Sequence, residues 1–221
     1  MTDGLLGHWT MDTASVQGKR VADTSGGGND GTILGTPPAV VPGRFGEALG
    51  YPASSASTTH VEVASLPLDT GASGVTSVSL WFFRSGTGID DVLVDMPRAP
   101  RFDLWLTGDT GHLLCFNTGS NNDCWGIDDP GLRDRWVHAV ALFRDGPLSA
   151  SELYVDGNKR VLTCTSAPGQ SCDTVRTVGL PLSLGGRSDF FFHGRLDDVR
   201  VYRRALDAVE VAALFDGTAC P

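Results

Sequence analysis

Along this chain apolar residues alternate with polar or small ones, position by position, from one end to the other. The alternation runs through 60–64, 76–83, 102–106, 136–143, 152–155 and 196–202, and a period of two is the mark of a strand with one buried face. Turn-forming clusters at 86–88, 108–111, 119–120, 129–131, 145–147 and 156–157 separate these runs. Asp156-Gly157, between Leu153-Tyr154-Val155 and Arg160-Val161-Leu162, is the strongest hairpin signal. One segment reads as helix: Asp207 caps it, Glu210 follows three residues on, Val211, Leu214 and Phe215 share a face, and Gly217 ends it. Many short antiparallel strands with one terminal helical turn predict an all-β chain, a two-sheet antiparallel jelly-roll β-sandwich. Trp9, Trp81 and Trp136 lie on alternating strands and are expected in the core. Phe190, Phe191 and Phe192 are consecutive, so at least one must face outward or cap a neighbouring loop.

Composition narrows the class. The 221 residues are 41% hydrophobic and 19% charged with 28 Gly and 12 Pro, which excludes coiled coil, collagen and wholesale disorder. A chain of this length buries about 70% of its unfolded surface, so neither metal nor disulfide is required merely to hold a core. No shift in composition or repeat divides it, and one domain over 1–221 is expected. Seventeen basic against 26 acidic residues give a net charge of -9, which disfavours tracking of nucleic-acid phosphates or anionic membranes. The densest apolar run, 78–83, is interrupted by Ser79 and far short of a membrane span. Residues 1–4 lack the basic and apolar regions of a secretory signal, so a leader is expected to have been trimmed off or never to have existed.

The cysteines, at 115, 124, 164, 172 and 220, include no C-x-x-C pair and no zinc-finger spacing. A two-residue turn at Gly119-Ser120 sets Cys115 directly opposite Cys124, and Cys164 and Cys172 are symmetric about Pro168. Two local disulfides and an oxidising compartment follow; five reduced, partly buried thiols in a cytosolic protein are the alternative. Cys220 is left odd.

Several chemistries drop out. Gly26-x-Gly28-x-x-Gly31 matches the dinucleotide fingerprint in letters, but Thr32-Ile33-Leu34-Gly35 leads into Pro37-Pro38 where a helix is needed. There is no G-x-S-x-G elbow, H-E-x-x-H, Walker lysine loop, EF-hand spacing or N-x-[ST] acceptor. The doublets Asp90-Asp91, Asp128-Asp129 and Asp197-Asp198 point to opposite strand faces, so none by itself forms the carboxylate pair of a glycosidase.

A set of segments in fixed order resembles the laminin G-like jelly-roll family of the concanavalin A-like lectin/glucanase superfold. Leu5-Leu6-Gly7-His8-Trp9-Thr10-Met11-Asp12 is similar to its first strand, and Asp23-Thr24-Ser25-Gly26-Gly27-Gly28-Asn29-Asp30-Gly31-Thr32 to its Gly/Asn-rich turn. Pro42-Gly43-Arg44-Phe45-Gly46-Glu47-Ala48-Leu49 is similar to the strand that follows. Arg135-Trp136-Val137-His138-Ala139-Val140-Ala141, Glu152-Leu153-Tyr154-Val155-Asp156-Gly157 and the closing Gly194-Arg195-Leu196-Asp197-Asp198-Val199-Arg200-Val201-Tyr202 continue the series. The resemblance implies that the last strand lies beside the first, bringing Asp12 near Asp197. It also implies one structural Ca2+ held by Asp12, the Asn29-Asp30-Gly31 turn and Asp197, with Asp198 as the alternative to Asp197; turn-forming and strand-end acids are the other reading of these residues.

Sugar sites combine an aromatic platform with amides and carboxylates for hydroxyls. The segment 119–131 offers Asn121, Asn122, Asp123, Trp125, Asp128 and Asp129, braced by the expected Cys115–Cys124 link, and a second candidate is the basic loop with Arg98 and Arg101. Trp125 folded onto the sandwich is the alternative to Trp125 as a ligand contact. The expected function is a non-catalytic, secreted or cell-surface recognition module that binds a glycan as a lectin does, within a longer multidomain protein. A protein-protein adhesion module is the runner-up, and a glycoside hydrolase or polysaccharide lyase on the same fold stands behind it. No nucleic-acid partner and no membrane insertion are expected.

Overall fold

A computed structural model describes the chain except for residues 53–57, 72, 86–89, 97–101, 109–112, 118–123, 166–170, 188–189 and 219–221. Among the described residues two large antiparallel sheets, of eight and ten strands, pack face to face, and two short two-stranded ribbons accompany them. The jelly-roll sandwich expected from the alternation is the observed architecture.

The eight-stranded sheet is centred on Val75–Arg84, which pairs with Trp136–Arg144 on one side and Gly194–Tyr202 on the other. Leu5–Trp9 pairs with Gly194–Tyr202, so the first strand does lie against the last. Its inner face is covered by the other sheet and part of its outer face by the helix. Val137, Ala139, Ala141 and Phe143 enter the core between the sheets, whereas Val140 and Leu142 pack outward against Tyr154, Tyr202, Leu206, Val211 and Leu214. The last two belong to the helix Ala208–Phe215, which closes that outer layer. Its N-terminus carries the expected capping box: the Asp207 carboxylate accepts from the backbone N–H of Val209 and Glu210, and Glu210 accepts from the N–H of Asp207. This satisfies donors that the first helical turn leaves without partners. Trp9 and Trp81 are buried as expected; Trp136 is only half-buried and edges the outer surface.

The ten-stranded sheet contains, in spatial sequence, Thr163–Cys164, Cys124–Asp128, Leu113–Asn117, Phe102–Leu106, Asp91–Met96, Leu182–Leu184, His60–Val63, Gly31–Leu34, Arg20–Val21 and Val16–Gln17. Phe102, Leu104 and Leu106 point into the core, and Asp103 and Trp105 therefore point out.

Both disulfides form. Cys115 and Cys124 have Cα atoms 5.4 Å apart, and Cys164 and Cys172 5.9 Å apart. The hairpin register differs from the expected one. Cys115 lies opposite Gly126, and Cys124 opposite Asn117, so the connection runs over 118–123 and the bridge crosses diagonally between strands. A shift by two residues keeps both cysteines on the same face, which is why the bridge survives it. At Asp156-Gly157 the expected two-residue hairpin is present, with Val155 opposite Asn158 and φ of +49° and +77° at the two turn residues. Two successive positive φ values match the right-handed twist of the flanking strands. Of the three successive aromatics, Phe191 and Phe192 are buried and Phe190 is half-exposed on the outer side.

Candidate functional site

A β-bulge between Asp197 and Arg200, with Asp198 at φ +47°, buries both acids of the doublet and sends them to different partners. Asp197 turns to the segment 43–47. Its Oδ2 accepts from the N–H of Arg44 at 2.7 Å and of Phe45 at 2.9 Å, and its Oδ1 is buried with no hydrogen-bond partner. Asp12 reaches the same segment: its Oδ1 accepts from Glu47 N–H at 2.8 Å, while Glu47 Oε2 accepts from Thr13 N–H at 2.9 Å. A Cβ at Gly43 would lie 2.6 Å from Asp197 Oδ2, and one at Gly46 would lie 2.7 Å from Asp12 Oδ1, so both carboxylates close on the turn where glycine leaves room. Burial, aided by the negative charges of Asp198 and Asp12 and opposed by the two N–H donors, pushes the Asp197 carboxyl up to about 7. A buried carboxylate oxygen with no donor beside a second carboxylate suits a hard cation. Asp12 and Asp197 thus fit the expected calcium.

The rest of the expected set is committed elsewhere. Asp198 pairs with His8 at 2.6 Å and with Arg200 at 3.1 Å. The Asn29 carbonyl accepts from the Trp9 indole at 3.1 Å, and its side-chain amide donates to Leu6 O at 2.7 Å. Asp30 accepts from Asp23 N–H at 2.8 Å and pairs with Arg20 at 2.6 Å. Gly31 is buried, and a Cβ there would meet Val61 at 2.5 Å, so its place is one of strand packing. The 29–31 turn is held by its own hydrogen bonds, as the Asx alternative has it. Among the described residues no three His, Cys, Asp or Glu side chains cluster as a metal site.

The outer face of the ten-stranded sheet carries one continuous cross-strand row. Arg20, Thr32, Glu62, Ser183, Asp95, Asp103, Asn117 and Cys124 are successive register partners across eight strands. Their chain neighbours Ile33, Val61, Val63, Leu182, Leu184, Val94, Leu104 and Phe116 all belong to the core. Alternation then puts the whole row on the opposite face. Beside it Trp105 packs with Phe190 at 4.8 Å between ring centroids, and the Arg187 guanidinium lies over both rings at 5.3 and 5.2 Å. Arg187 Nε is 3.1 Å from Asp103 Oδ2. Asp95, Asp103, Ser183 and Trp105 are recessed, whereas Glu62, Asn117 and Phe190 are half-exposed, so Phe190 is the aromatic face that solvent reaches. Carboxylates, a hydroxyl and an amide alongside an aromatic pair form the kind of surface that engages sugar hydroxyls and an apolar sugar face.

At one end of this sheet Met96 lies opposite Phe102, Asp103 opposite Asn117, and Asn117 opposite Cys124. Asp95, Asp103 and Asn117 are at that same end. The expected ligand residues Arg98, Arg101, Asn121, Asn122 and Asp123 lie outside the described residues, as does Cys220. Trp125 is half-buried against the core, and its indole N–H donates to Ser151 O at 3.0 Å. Strand alternation turns it away from the face that Cys124 and Gly126 share, so the aromatics beside the polar row are Phe190 and the buried Trp105 behind it. Asp128 is exposed at the far end of its strand, opposite Leu113. Sequence reasoning passed over Asp95, Asp103, Trp105, Asn117 and Arg187. The signal within reach was Phe102-Asp103-Leu104-Trp105-Leu106, whose alternation puts an acid and a tryptophan on one face.

Two antiparallel sheets packed face to face, with the first strand paired to the last and Asp12 and Asp197 both hydrogen-bonded to the 43–47 turn, make a jelly-roll sandwich. Residues 55–212 match the model of a laminin G-type family described as the concanavalin A-like lectin/glucanases superfamily, and the chain belongs to that family. No curated protein matches the chain. Among solved structures, domain 4 of AbnA, a GH43 extracellular arabinanase from Geobacillus stearothermophilus in complex with arabinotriose, aligns at 19% identity with a TM-score of 0.64, covering 95% of this chain and 97% of that one. The binding domain of Paraclostridial Mosquitocidal Protein 1 aligns at 18% identity and TM-score 0.62, over 98% of this chain and 53% of that one. Trypanosoma rangeli sialidase aligns at 16% identity and TM-score 0.65, over 97% of this chain and 33% of that one. The chain thus spans about half of the toxin domain and a third of the sialidase. At these identities the likeness is one of fold, shared by binding domains and by glycan-active enzymes alike.

Proposed function

We propose that this chain is a non-catalytic, extracellular glycan-recognition domain of a larger protein, and that it binds on the outer face of the ten-stranded sheet at the end carrying Asp95, Asp103 and Asn117. The observation that carries this reading is the single polar row beside the Trp105–Phe190 pair. Two disulfides support an oxidising compartment. The arabinotriose complex of the arabinanase domain supports a saccharide as the ligand class. Arg98, Arg101, Asn121, Asn122 and Asp123, the amides, acid and cations that the sequence offers for a ligand, belong to the proposed ligand set. Asp12 and Asp197 would hold Ca2+, which would supply charge compensation and tie the chain's two terminal strands to the 43–47 turn, with no part in sugar contact.

Hydrolysis of the glycan is a second reading, favoured by one observation: Asp95 and Asp103 are direct cross-strand partners. Side chains so placed are about 5 Å apart at Cβ, close to the separation of a retaining carboxylate pair. Against it, Arg187 holds the Asp103 carboxylate. Titration of Asn117→Ala and Trp105→Ala with a bound glycan tests the site. Each is expected to weaken binding by up to about tenfold, the size of one lost neutral hydrogen bond or one lost aromatic anchor. Unchanged affinity in both would remove the site from this face, and turnover of the glycan abolished by Asp95→Asn would replace recognition with catalysis.

A further inference from the structure

The opposite side of the molecule carries a feature that neither the polar row nor the terminal acids use. On the outer face of the eight-stranded sheet, next to the last turn of the helix, lies an open cleft of about 350 Å3 lined by Arg44, Trp81, Arg135, Trp136, Asp156 and Phe215. Five distant segments meet there for reasons already described, Trp81 coming from the central strand Val75–Arg84. Arg44 sits in the 43–47 turn fixed by Asp197, Asp156 is the first residue of the positive-φ hairpin turn, Arg135 and Trp136 open a central strand, and Phe215 ends the capped helix.

The walls are aromatic. Trp81 and Phe215 stack at 5.6 Å with 18° between planes, and Trp136 stands edge-on to Phe83 at 5.9 Å. The two arginines are in different states. Arg135 is committed: Nε donates to Gly131 O at 2.6 Å, Nη1 to Trp136 O at 3.1 Å, and Nη2 pairs with Asp156 at 2.8 Å. Arg44 is exposed, lies 4.6 Å over the Trp81 ring and 5.2 Å over Phe45, and has no side-chain hydrogen-bond or carboxylate partner among the described residues. An oriented guanidinium with its donor fork free is built for a carboxylate. Asp156, held by Arg135 and by the N–H of His138 at 3.0 Å, presents acceptor oxygens suited to hydroxyls.

We infer that this cleft is a second saccharide site, selective for a carboxylate-bearing sugar of the uronic-acid type, with Arg44 on the carboxylate, Trp136 and Phe215 against the ring and Asp156 on hydroxyls. Its size falls in the range of small-ligand pockets. The net charge of -9 does not forbid an acidic ligand, because distant surface charges are screened beyond about 8 Å at physiological salt while the contact with Arg44 is not.

Calorimetric titration of the folded chain with D-glucuronate, D-glucose and acetate tests it. Glucuronate is expected to bind about tenfold more tightly than either of the others, since the site adds one charge-assisted pair to the sugar contacts. Arg44→Gln should erase the advantage over glucose, and Trp136→Ala should weaken both sugars. Both positions are at least partly exposed, and an unchanged melting temperature confirms that the variants fold. Trp105→Ala, on the other sheet, should leave glucuronate binding intact. Equal affinity for glucuronate and glucose, equal affinity for acetate, or glucuronate binding that survives Arg44→Gln or is lost in Trp105→Ala would overturn the inference. Failure of the ten-stranded face to bind any glycan would leave it standing.

Discussion

His138 shows how burial sets a residue's chemistry. Its ring lies 5.0 Å from Trp81, its Nε2 is 2.9 Å from Ser79 Oγ, and desolvation holds its pKa at about 4 against an ordinary 6.5. The folded pKa is depressed, so the stabilising contribution is present above pH 6.5 and is lost as pH falls to about 4, where the unfolded chain takes up a proton that the folded one refuses. At the acid limit this amounts to on the order of 3 kcal/mol. Urea unfolding from pH 7 to 4 is expected to show that decline, and His138→Gln is expected to flatten it; an identical slope in the variant would place the acid sensitivity in other groups. Asp197 is the matching case among acids, a buried carboxyl pushed up to about 7 whose Oδ1 has no hydrogen-bond partner. Addition of Ca2+ is expected to raise the melting temperature at neutral pH, and Asp197→Asn to abolish the increment. An equal increment in the variant would put the ion elsewhere.

At the scale of elements, most long strands, the Asp156-Gly157 hairpin and the capped helix were legible because their signals are local: alternation, a two-residue turn and an Asp-x-x-Glu box lie within a few positions of one another; Asp91–Met96 was passed over, being buried on both faces. The two-residue strands Val16–Gln17, Arg20–Val21 and Thr163–Cys164 were not, because an edge strand this short leaves no period to count. The Cys115–Cys124 bridge was legible and its register was not, since a slip of two keeps every side chain on its face and leaves the pattern unchanged. The same elements set the expected costs of mutation. Gly157→Ala forces a Cβ into the left-handed region at φ +77°, 3.3 Å from Phe215, and is expected to cost about 1 kcal/mol or more in denaturant unfolding. Asp207→Ala removes acceptors for two helical N–H groups and is expected to cost about 1 kcal/mol. Replacing Cys115 and Cys124 together by Ser is expected to cost about 2–4 kcal/mol. A double variant as stable as the parent would show that the bridge constrains nothing in the unfolded chain.

The candidate site becomes visible only at the scale of the whole molecule. Its row draws single residues from positions 20, 32, 62, 95, 103, 117, 124 and 183, one from each strand, so no window of sequence contains more than two of them at motif spacing. The ligand residues that the sequence offered, Arg98, Arg101 and 121–123, lie outside the described residues. Asp12 and Asp197 met for the same reason that the fold was recognisable, the pairing of the first strand with the last. A family that supports binding domains and glycan-active enzymes on one sandwich leaves function to the side chains on its outer faces, which is where the glycan reading stands or falls. The most direct measurement is a printed glycan array probed with the purified chain at neutral pH, in Ca2+ and in EDTA, beside Trp105→Ala. The expected result is a defined set of glycans bound by the parent and lost in the variant, with EDTA acting through stability. A blank array from a demonstrably folded chain would contradict glycan recognition.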